Sequence, residues 1–184
     1  MASDKIIPNY DRLAQVVADY RRQAKTIVLT QGSFDMLHIG HGRYLAQAKK
    51  CGDILIVGVD SDAKIKQRKG PDRPVVPQDE RMEMLTYMAS VDHVVLKELT
   101  TPHWQLIKVV KPDVLIATQS TYSPQEISEL KHWCGAVEVL RPQATTSTSA
   151  KLRRLQIGFA HDFMAKLTPR IEKSIETVIA ELEK

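Results

Sequence analysis

Short apolar runs that alternate with helical segments constrain the fold of this chain more than any other feature. Residues 54–59 are apolar at almost every position, which is typical of a strand covered on both faces and therefore of a parallel sheet. Residues 26–30 form an earlier strand, and residues 41–50 between the two predict a helix with lysines in its last turn. A strand, a helix and a strand in this order predict a right-handed βαβ unit.

The same alternation continues to residue 140. We predict further strands at residues 91–96, 114–117 and 137–140, further helices at residues 10–24, 79–90, 102–110 and 124–133, and a charged, proline-bearing loop at residues 60–78. The pattern predicts an α/β fold, a Rossmann-like, doubly wound parallel sheet of about five strands with an added C-terminal helical tail. Ligands of such sheets bind at the carboxyl ends of the strands.

The chain divides by this pattern into three regions. We expect an N-terminal helical extension at residues 1–25, an α/β domain at residues 26–156 and an amphipathic helical tail at residues 157–184. Apolar residues recur about every four positions in the tail, and a break in its helix is expected near Pro169. Periodicity leaves open whether the tail packs onto its own domain or pairs with a second copy. The expected assembly is a homodimer.

Charge, composition and cysteine content exclude several classes of protein. The chain has 184 residues and a net charge of +4, which suits anionic substrates. Aromatic residues make up 5% of it, too few for an evident base-stacking surface, so no nucleic-acid partner is expected. No apolar run is long enough to span a membrane and the N-terminus lacks a signal-peptide pattern, which predicts a cytoplasmic protein. Cys51 and Cys134 match no metal or redox spacing and are expected to be free thiols.

The turn after the first predicted strand carries paired histidines. Residues 30–41 are TQGSFDMLHIGH, so that His38 and His41 flank Gly40 where a strand is followed by a helix. Backbone N–H groups and the positive end of the helix dipole make such a turn an anion site. Imidazoles add hydrogen-bond donors, and a glycine without a Cβ lets a phosphate approach the backbone.

This stretch resembles the signature of the HxGH nucleotidyltransferase superfamily, which includes the cytidylyltransferases. The resemblance covers about residues 26–156. It implies an enzyme that joins a nucleoside triphosphate (NTP) to a small phosphorylated molecule and releases pyrophosphate, with His38 and His41 as catalytic residues at the α-phosphate. It also implies nucleotide contacts from the surrounding turn, made by Gly32, Ser33, Phe34 and Gly40.

A second segment resembles the adenylyltransferases that act on heptose 1-phosphate. Residues 69–77 are KGPDRPVVP and are followed by Glu80 and Arg81, similar to a Lys-Gly…Arg-Pro-Val…Pro…Glu-Arg segment of those enzymes. The resemblance implies a catalytic Lys69 that contacts phosphate from a mobile loop, and an Arg81 that holds phosphate from a helix start. A solvated charged loop is the alternative interpretation of Lys69.

A third segment is rich in hydroxyl groups. Residues 145–149 are TTSTS and resemble the element that opens a late helix in this superfamily, where hydroxyls and backbone N–H groups hold the β- and γ-phosphates. The resemblance implies that Ser147, Thr148 and Ser149 bind phosphate, whereas simple helix capping would need only one such residue. Arg141 lies where related cytidylyltransferases place a substrate arginine.

Three further residues are candidates for substrate binding. Asp60 ends the second strand and could cap the next helix or face the nucleotide. Asp35 could approach Mg²⁺, orient a histidine or bond nearby backbone. Thr118 follows the fourth strand, where residues 117–122 are ATQSTY and the heptose enzymes carry Lys-Gly-Gly-Asp-Tyr. This departure leaves the choice of base and of acceptor undetermined.

These features predict a nucleotidyltransferase that uses an NTP, preferably ATP, and a small phosphorylated acceptor such as a sugar 1-phosphate. The resemblance implies Mg²⁺ bound with the NTP and no protein cage for a metal. Two alternatives of the same class are a cytidylyltransferase acting on glycerol- or ethanolamine-type phosphates and an adenylyltransferase similar to FAD synthetase. An alternative of another class is a nucleotide-binding protein without catalysis.

Overall fold

A parallel sheet with helices on both faces forms the main body of the protein. The computed structural model describes residues 2–118, 121–141, 143 and 148–182. Its strands are β1 (Ile6–Ile7), β2 (Ile27–Gly32), β3 (Ile54–Asp60), β4 (His93–Lys97), β5 (Val114–Thr118) and β6 (Ala136–Leu140). Its α-helices are α1 (Tyr10–Arg22), α2 (Ile39–Lys49), α3 (Asp62–Lys69), α4 (Gln78–Thr86), α5 (Gln105–Val110), α6 (Pro124–Leu130) and α7 (Thr148–Leu182).

The order of the strands in the sheet is β1-β4-β3-β2-β5-β6, and each neighbouring pair is parallel. From β2 the chain builds the sheet outward through β3 and β4, and then returns to add β5 and β6 on the other side of β2. The boundary between β2 and β5 is therefore the switch point at which doubly wound sheets bind ligands, outside the carboxyl ends of the strands.

Two hydrophobic cores cover the two faces of the sheet. Successive residues of β2 point to opposite faces, with Ile27 and Leu29 in one core and Val28 in the other. Helices α1, α5 and α6 contribute Leu13, Leu106 and Leu130 to the first core, and α2 and α4 contribute Leu45 and Leu85 to the second. The predicted α/β class and doubly wound architecture are confirmed.

The structure differs from the sequence-based prediction at two elements. Strand β1 makes the sheet six-stranded instead of five-stranded within the described residues, because its two residues are too short to give a periodic signal and pair with the distant strand β4. Helix α3 lies in the predicted loop at residues 60–78. Its sequence is almost wholly polar, with Ile65 as its buried residue, so it shows no helical period of apolar residues. The Ser61 hydroxyl caps this helix by accepting from the Lys64 N–H at 3.3 Å.

The chain forms two compact units, one containing β1–β6 and α1–α6 and the other containing α7. Helix α7 continues through Pro169, so the predicted break near this residue is wrong. Several of its large apolar side chains are half exposed or more. Among the described helices, none combines the length and the apolar content needed to cross a membrane.

Candidate active site

The turn between β2 and α2 brings the paired histidines together. His38 is the N-cap of α2, and its Nδ1 accepts a hydrogen bond from the Gly40 N–H at 3.1 Å. The Nδ1 of His41 accepts from the His38 N–H at 3.2 Å, and the centroids of the two rings are 4.1 Å apart. Because each Nδ1 accepts from a backbone N–H, the hydrogen of each neutral ring is on Nε2. Each histidine thus carries an Nε2–H donor of the kind that a phosphate oxygen accepts.

Left-handed backbone shapes this turn. Phe34 and Met36 both have φ of 48°, a conformation that costs a residue other than glycine about 1 kcal/mol or more. The buried Phe34 ring packs 5.8 Å from the His41 ring between centroids. Packing of the Phe34 ring against the ring of His41, a predicted catalytic residue, thus compensates the strain.

Asp35 fixes the turn to the segment that follows α3. Its buried carboxylate accepts from the Val75 N–H at 3.1 Å and the Val76 N–H at 3.0 Å, and pairs with Arg73 at 2.7 Å. This bonding to backbone is not the local kind that the sequence left open, because Val75 and Val76 lie 40 and 41 residues further along the chain. These contacts hold the loop beyond Lys69 against the histidine turn.

Lys69 ends α3 and reaches the same turn. Its Nζ donates to the Ser33 Oγ at 3.0 Å. Partial burial, together with the positive charges of Arg68 and Arg73, lowers the pKa of the Lys69 ammonium. An anion bound beside Lys69 would oppose this shift and keep the ammonium charged.

Arg81 lies inside the protein, where its guanidinium group joins three segments. Its nitrogen atoms donate to the backbone carbonyls of Ser33, Val76 and Asp60, and the distances to Val76 and Asp60 are 2.9 Å. The guanidinium also forms an ion pair with Asp62 at 2.7 Å. The side chain is 1% exposed. In this arrangement the guanidinium could reach a phosphate only after these bonds changed, so the geometry favours a role in holding the turn.

A pocket of about 530 Å³ opens beside the turn, and we call it the histidine pocket. It includes Tyr44, which the sequence did not single out; its hydroxyl lies 2.7 Å from the Thr30 Oγ1. The pocket is lined by Gln31, Gly32, Ser33, Phe34, His41, Tyr44, Arg68, Lys69, Thr118 and Thr121.

A second pocket of about 490 Å³ adjoins the first, and we call it the Trp104 pocket. The two pockets have Gln31, Gly32, Arg68 and Thr121 in common. The remaining lining of the Trp104 pocket is Asp60, Lys64, Lys97, Thr101, Pro102, His103, Trp104, Gln105, Leu106, Tyr122 and Glu126.

A buried carboxylate and two cations dominate the charge of the Trp104 pocket. Asp60 pairs with Lys97 at 3.1 Å and with Arg68 at 3.0 Å, and its side chain is 2% exposed. Burial by itself would raise the pKa of Asp60, but Lys97 and Arg68 hold the pKa below its ordinary value. With Lys64 and Glu126 also in the lining, the pocket has three cations against two carboxylates, a surplus of positive charge.

Thr118 at the end of β5 and Thr121 and Tyr122 after it line the pockets and form hydrogen bonds between side chains. The Gln31 Nε2 donates to the Tyr122 hydroxyl at 2.6 Å, and the Thr118 and Thr121 hydroxyls are 2.8 Å apart. Burial raises the pKa of Tyr122 to about 12, so this hydroxyl stays protonated at neutral pH. Thr118, Thr121 and Tyr122 of this segment thus supply polar groups to the lining of the pockets.

The structure brings most of the predicted site residues together. The histidine pocket collects Gly32, Ser33, Phe34, His41, Lys69 and Thr118, and the Trp104 pocket collects Asp60. The His38 ring is tilted against the His41 ring, with 4.1 Å between their centroids. Arg141 is exposed just after β6 and is not among the described residues that line either pocket. Ser147 and the side chains of Thr148 and Ser149 lie outside the described residues. Which of these residues contact substrate stays a prediction.

Sequence reasoning missed the cations of the Trp104 pocket. Lys64 and Arg68 are four residues apart on α3, and this spacing places them on one helical face once α3 is known to be a helix. Lys97 ends β4, beside the end of β3. Only the sheet order brings it to Asp60.

The described residues offer no ready site for a protein-held metal. No three His, Cys, Asp or Glu side chains among them are grouped to bind an ion. Asp35 and Asp60 are engaged by basic side chains, and Glu126, which lines the Trp104 pocket, accepts from the Ser123 N–H at 2.8 Å. The residues do not fit a resident Mg²⁺, and we derive no chemical step through one.

Two solved structures share this architecture. The lipopolysaccharide core biosynthesis protein from Thermoplasma volcanium GSS1 superposes with a TM-score of 0.55 at 26% identity, over 64% of this chain and 96% of that protein. Pantoate-beta-alanine ligase from Francisella tularensis, solved with beta-gamma ATP and beta-alanine, superposes with a TM-score of 0.56 over 78% of this chain and 68% of the ligase. At 14% identity, the second likeness shows the fold alone.

Curated relatives match the chain over most of its length. The bifunctional protein HldE of a Nitratiruptor species is 38% identical over 153 residues, which is 82% of this chain and 33% of that protein. HldE of Salmonella arizonae is 42% identical over 149 residues, 79% of this chain and 31% of that protein. The chain therefore spans about a third of the length of these relatives.

The histidine turn and the strands around it lie within a match to a family model. The model described as cytidylyltransferase-like matches residues 29–176, from within β2 into α7. Because this match includes the turn, both pockets and most of the sheet, the chain belongs to the cytidylyltransferase-like family.

Proposed function

We propose that this chain is a nucleotidyltransferase that transfers a nucleoside monophosphate from an NTP, preferably ATP, to a small phosphorylated acceptor and releases pyrophosphate. The observation that carries the proposal is the histidine turn. There, two imidazoles at the start of α2 have Nδ1 fixed by backbone N–H groups, and His41 lines a pocket that also contains Lys69.

The proposed reaction is an in-line displacement at phosphorus. An oxygen of the acceptor phosphate attacks the α-phosphorus of the NTP, a new P–O bond forms, and the bond to the bridging α–β oxygen breaks as pyrophosphate leaves. The nucleophile is already anionic, so no protein base is required. Catalysis then depends on positioning and on donors aimed at the charged transition state. His38, His41, Lys69 and the N-terminus of α2 supply those donors in our proposal.

The two pockets suggest a division between the substrates. We assign the NTP to the histidine pocket and the acceptor to the Trp104 pocket, with Arg68 in the wall common to both. Lys64, Arg68 and Lys97 give the Trp104 pocket its surplus of positive charge, which suits a phosphorylated acceptor. The resemblance of residues 69–81 to the heptose 1-phosphate enzymes, together with the HldE relatives, favours a sugar 1-phosphate.

A second candidate follows from Trp104 itself. This residue lies near a tryptophan position of the glycerol-phosphate cytidylyltransferases, and its side chain lines the acceptor pocket. Cytidylyl transfer to a glycerol- or ethanolamine-type phosphate is therefore the alternative of the same reaction type. An acceptor of that kind is smaller and would leave more of the pocket to water.

Three subsidiary assignments belong to the same proposal. Residues 26–156 carry the transferase activity. Mg²⁺ arrives with the phosphates of the NTP, since phosphate oxygens are ligands it prefers. The chain works in the cytoplasm, where NTPs are supplied.

Pyrophosphate release tests the proposed function directly. Purified full-length chain with Mg²⁺ is tested with ATP, CTP, GTP and UTP against sugar 1-phosphates, polyol and amino-alcohol phosphates, and FMN. We expect release with one NTP and one class of acceptor, and none from a His38→Ala/His41→Ala double variant. Replacement of the exposed His132, which follows α6, by alanine is the matched control and should leave release unchanged. Measurable NTP binding without release from any acceptor would favour the non-catalytic alternative.

A further inference from the structure

Arg68 is the charged residue that the two pockets have in common. Of the four residues that line both the histidine pocket and the Trp104 pocket, the other three, Gln31, Gly32 and Thr121, are uncharged. The Arg68 side chain is 54% exposed, so it is open to a ligand. A cation in a wall between two pockets attracts an anion in each of them.

The ion pairs of Asp60 leave the charge of Arg68 in excess. The Lys97 Nζ is 3.1 Å from one oxygen of the Asp60 carboxylate, and the Arg68 Nη2 is 3.0 Å from the other. The side chains of Lys97 and Asp60 are 15% and 2% exposed, so these two residues form the buried pair, and their charges cancel. Arg68 adds a second cation to the same carboxylate. Its charge is therefore the one that an anionic ligand can offset.

Helix α3 holds Arg68 at the junction of the pockets. The buried Ile65 side chain anchors this helix, which ends at Lys69. The Lys69 Nζ donates to the Ser33 Oγ in the histidine pocket, whereas Arg68 pairs with Asp60, which lines the Trp104 pocket. Two adjacent residues at the end of α3 thus contact side chains of two different pockets.

Repulsion between Arg68 and Lys69 favours an anion close to both. Together with partial burial, the charge of Arg68 lowers the pKa of the Lys69 ammonium. A phosphate group beside the two side chains would relieve this repulsion. Both residues line the histidine pocket, which is the pocket assigned to the NTP in the proposed function.

The proposed reaction requires two negatively charged phosphate groups to meet. An oxygen of the acceptor phosphate has to come within about 3–3.5 Å of the α-phosphorus before the new bond forms. A guanidinium group suits this step because it is planar, stays charged and carries five N–H donors on different edges. It can therefore donate to two phosphate groups at once while one of its nitrogen atoms stays on a carboxylate.

We propose that Arg68 is a catalytic residue that binds the acceptor phosphate and the NTP phosphates at the same time, across the wall between the two pockets. The guanidinium transfers no proton and forms no covalent bond in this role; it offsets the repulsion between the two substrates. Asp60 is its positioning residue, because the carboxylate holds the guanidinium from one side. This inference rests on the proposed function and adds the residue that joins the substrates.

Two binding measurements on the full-length chain test this role without turnover. The first is the Kd of α,β-methylene-ATP, whose α–β link cannot be cleaved, measured by isothermal titration with Mg²⁺. The second is the Kd of inorganic phosphate for the chain already saturated with this analogue, measured by ³¹P NMR, so that phosphate is kept out of the NTP site. Arg68→Met should raise both Kd values at least about tenfold, as expected for lost hydrogen bonds between charged groups.

Other variants of α3 separate this role from a general loss of charge. Lys64 lines the Trp104 pocket and is not among the described residues that line the histidine pocket, so Lys64→Met should raise the Kd of phosphate alone. Lys66→Met is the matched control, because Lys66 is exposed on α3 and is not among the described lining residues of either pocket. It should change neither Kd. Arg68→Lys keeps the charge without the planar fork and should restore at most one of the two Kd values.

A folding control accompanies these variants. The melting temperature of Arg68→Met should stay within about 3 °C of the wild type, because an exposed ion pair contributes little to stability and Asp60 keeps its pair with Lys97. With an acceptor from which the wild type releases pyrophosphate, Arg68→Met should also lower kcat at saturating substrates at least about tenfold. An unchanged kcat would mean that Arg68 only collects the substrates, and would overturn its catalytic role.

The binding results distinguish a failure of this inference from a failure of the proposed function. A wild type that does not bind α,β-methylene-ATP at millimolar concentration would contradict the proposed function itself. A wild type that binds the analogue but binds no phosphate beside it would overturn the role of Arg68 alone. So would an Arg68→Met variant in which one Kd or neither rises, or an Arg68→Lys variant that restores both.

Discussion

The histidine pocket and the Trp104 pocket lie side by side at the same edge of the sheet, but different interactions fix their functional groups. In the histidine pocket, backbone N–H groups of one continuous turn orient the two imidazoles. In the Trp104 pocket, ion pairs between α3, β3 and β4 position the charges. Imidazoles held by backbone keep their geometry when neighbouring side chains are replaced, which suits the proposed reaction step. The charges of the Trp104 pocket depend on a few side chains, so replacing those side chains can change the ligand that the pocket binds.

The largest expected effect is in the histidine pocket. His41→Ala should lower kcat for pyrophosphate release about a hundredfold or more, because it removes one donor to the charged transition state. The loss of the bond from the His38 N–H should cost about 1 kcal/mol of folding stability. Steady-state kinetics and urea unfolding measure the two effects. Turnover within threefold of the wild type would remove His41 from the mechanism.

A smaller effect, on stability, is expected in the Trp104 pocket. Asp60→Asn should lower the free energy of unfolding at pH 7 by about 2 kcal/mol, since it leaves the mostly buried Lys97 without its carboxylate partner. The pKa of Asp60 in the folded protein lies below its ordinary value of 3.8. Its contribution is therefore present above that pH and is lost as the pH falls through the lower, folded-state pKa.

Urea unfolding of the wild type and of Asp60→Asn over a range of pH checks this prediction. The stability difference between the two proteins should be constant near neutral pH and should shrink below pH 3.8. A difference that grew on acidification would mean that Asp60 is protonated in the folded protein, contrary to the ion pairs.

A Trp104 variant tests whether the acceptor and the NTP bind in different pockets. Trp104→Ala should raise KM for the acceptor about tenfold, as expected for a lost aromatic contact, and leave the Kd of the NTP unchanged. Isothermal titration with NTP and steady-state kinetics with varied acceptor give the two numbers. Equal weakening of both substrates would mean that the pockets are not divided as proposed.

The smallest effect is expected at the boundary between the pockets. Tyr122→Phe removes the acceptor of the Gln31 amide and should change kcat/KM about threefold, the size of one neutral hydrogen bond. Because burial raises the pKa of Tyr122 to about 12, the pH profiles of wild type and variant should be parallel from pH 6 to 9. A wild-type inflection in that range that disappears in the variant would contradict the buried, protonated hydroxyl.

Prediction from sequence succeeded where the determinants are consecutive residues. An apolar strand, a turn with two histidines and a helix are local, and the histidines obtain their hydrogen bonds from backbone within three residues. Prediction failed at β1 and α3, where a strand of two residues and a polar helix give little periodic signal. For Arg81 the resemblance implied phosphate binding, but its bonds to Ser33, Val76 and Asp60 depend on segments that only folding brings together.

The sequence by itself determined the α/β class, the strand–turn–helix unit and the position of the two histidines within it, because periodicity and turn chemistry act over a few neighbouring residues. Only the tertiary structure decided the Trp104 pocket. Its charged groups come from the end of β3, from α3 and from the end of β4, and parallel pairing of β3 with β4 places Asp60 opposite Lys97. The physical reason is that a buried carboxylate needs its cations within about 4 Å, and this distance is set by the order of strands in the sheet.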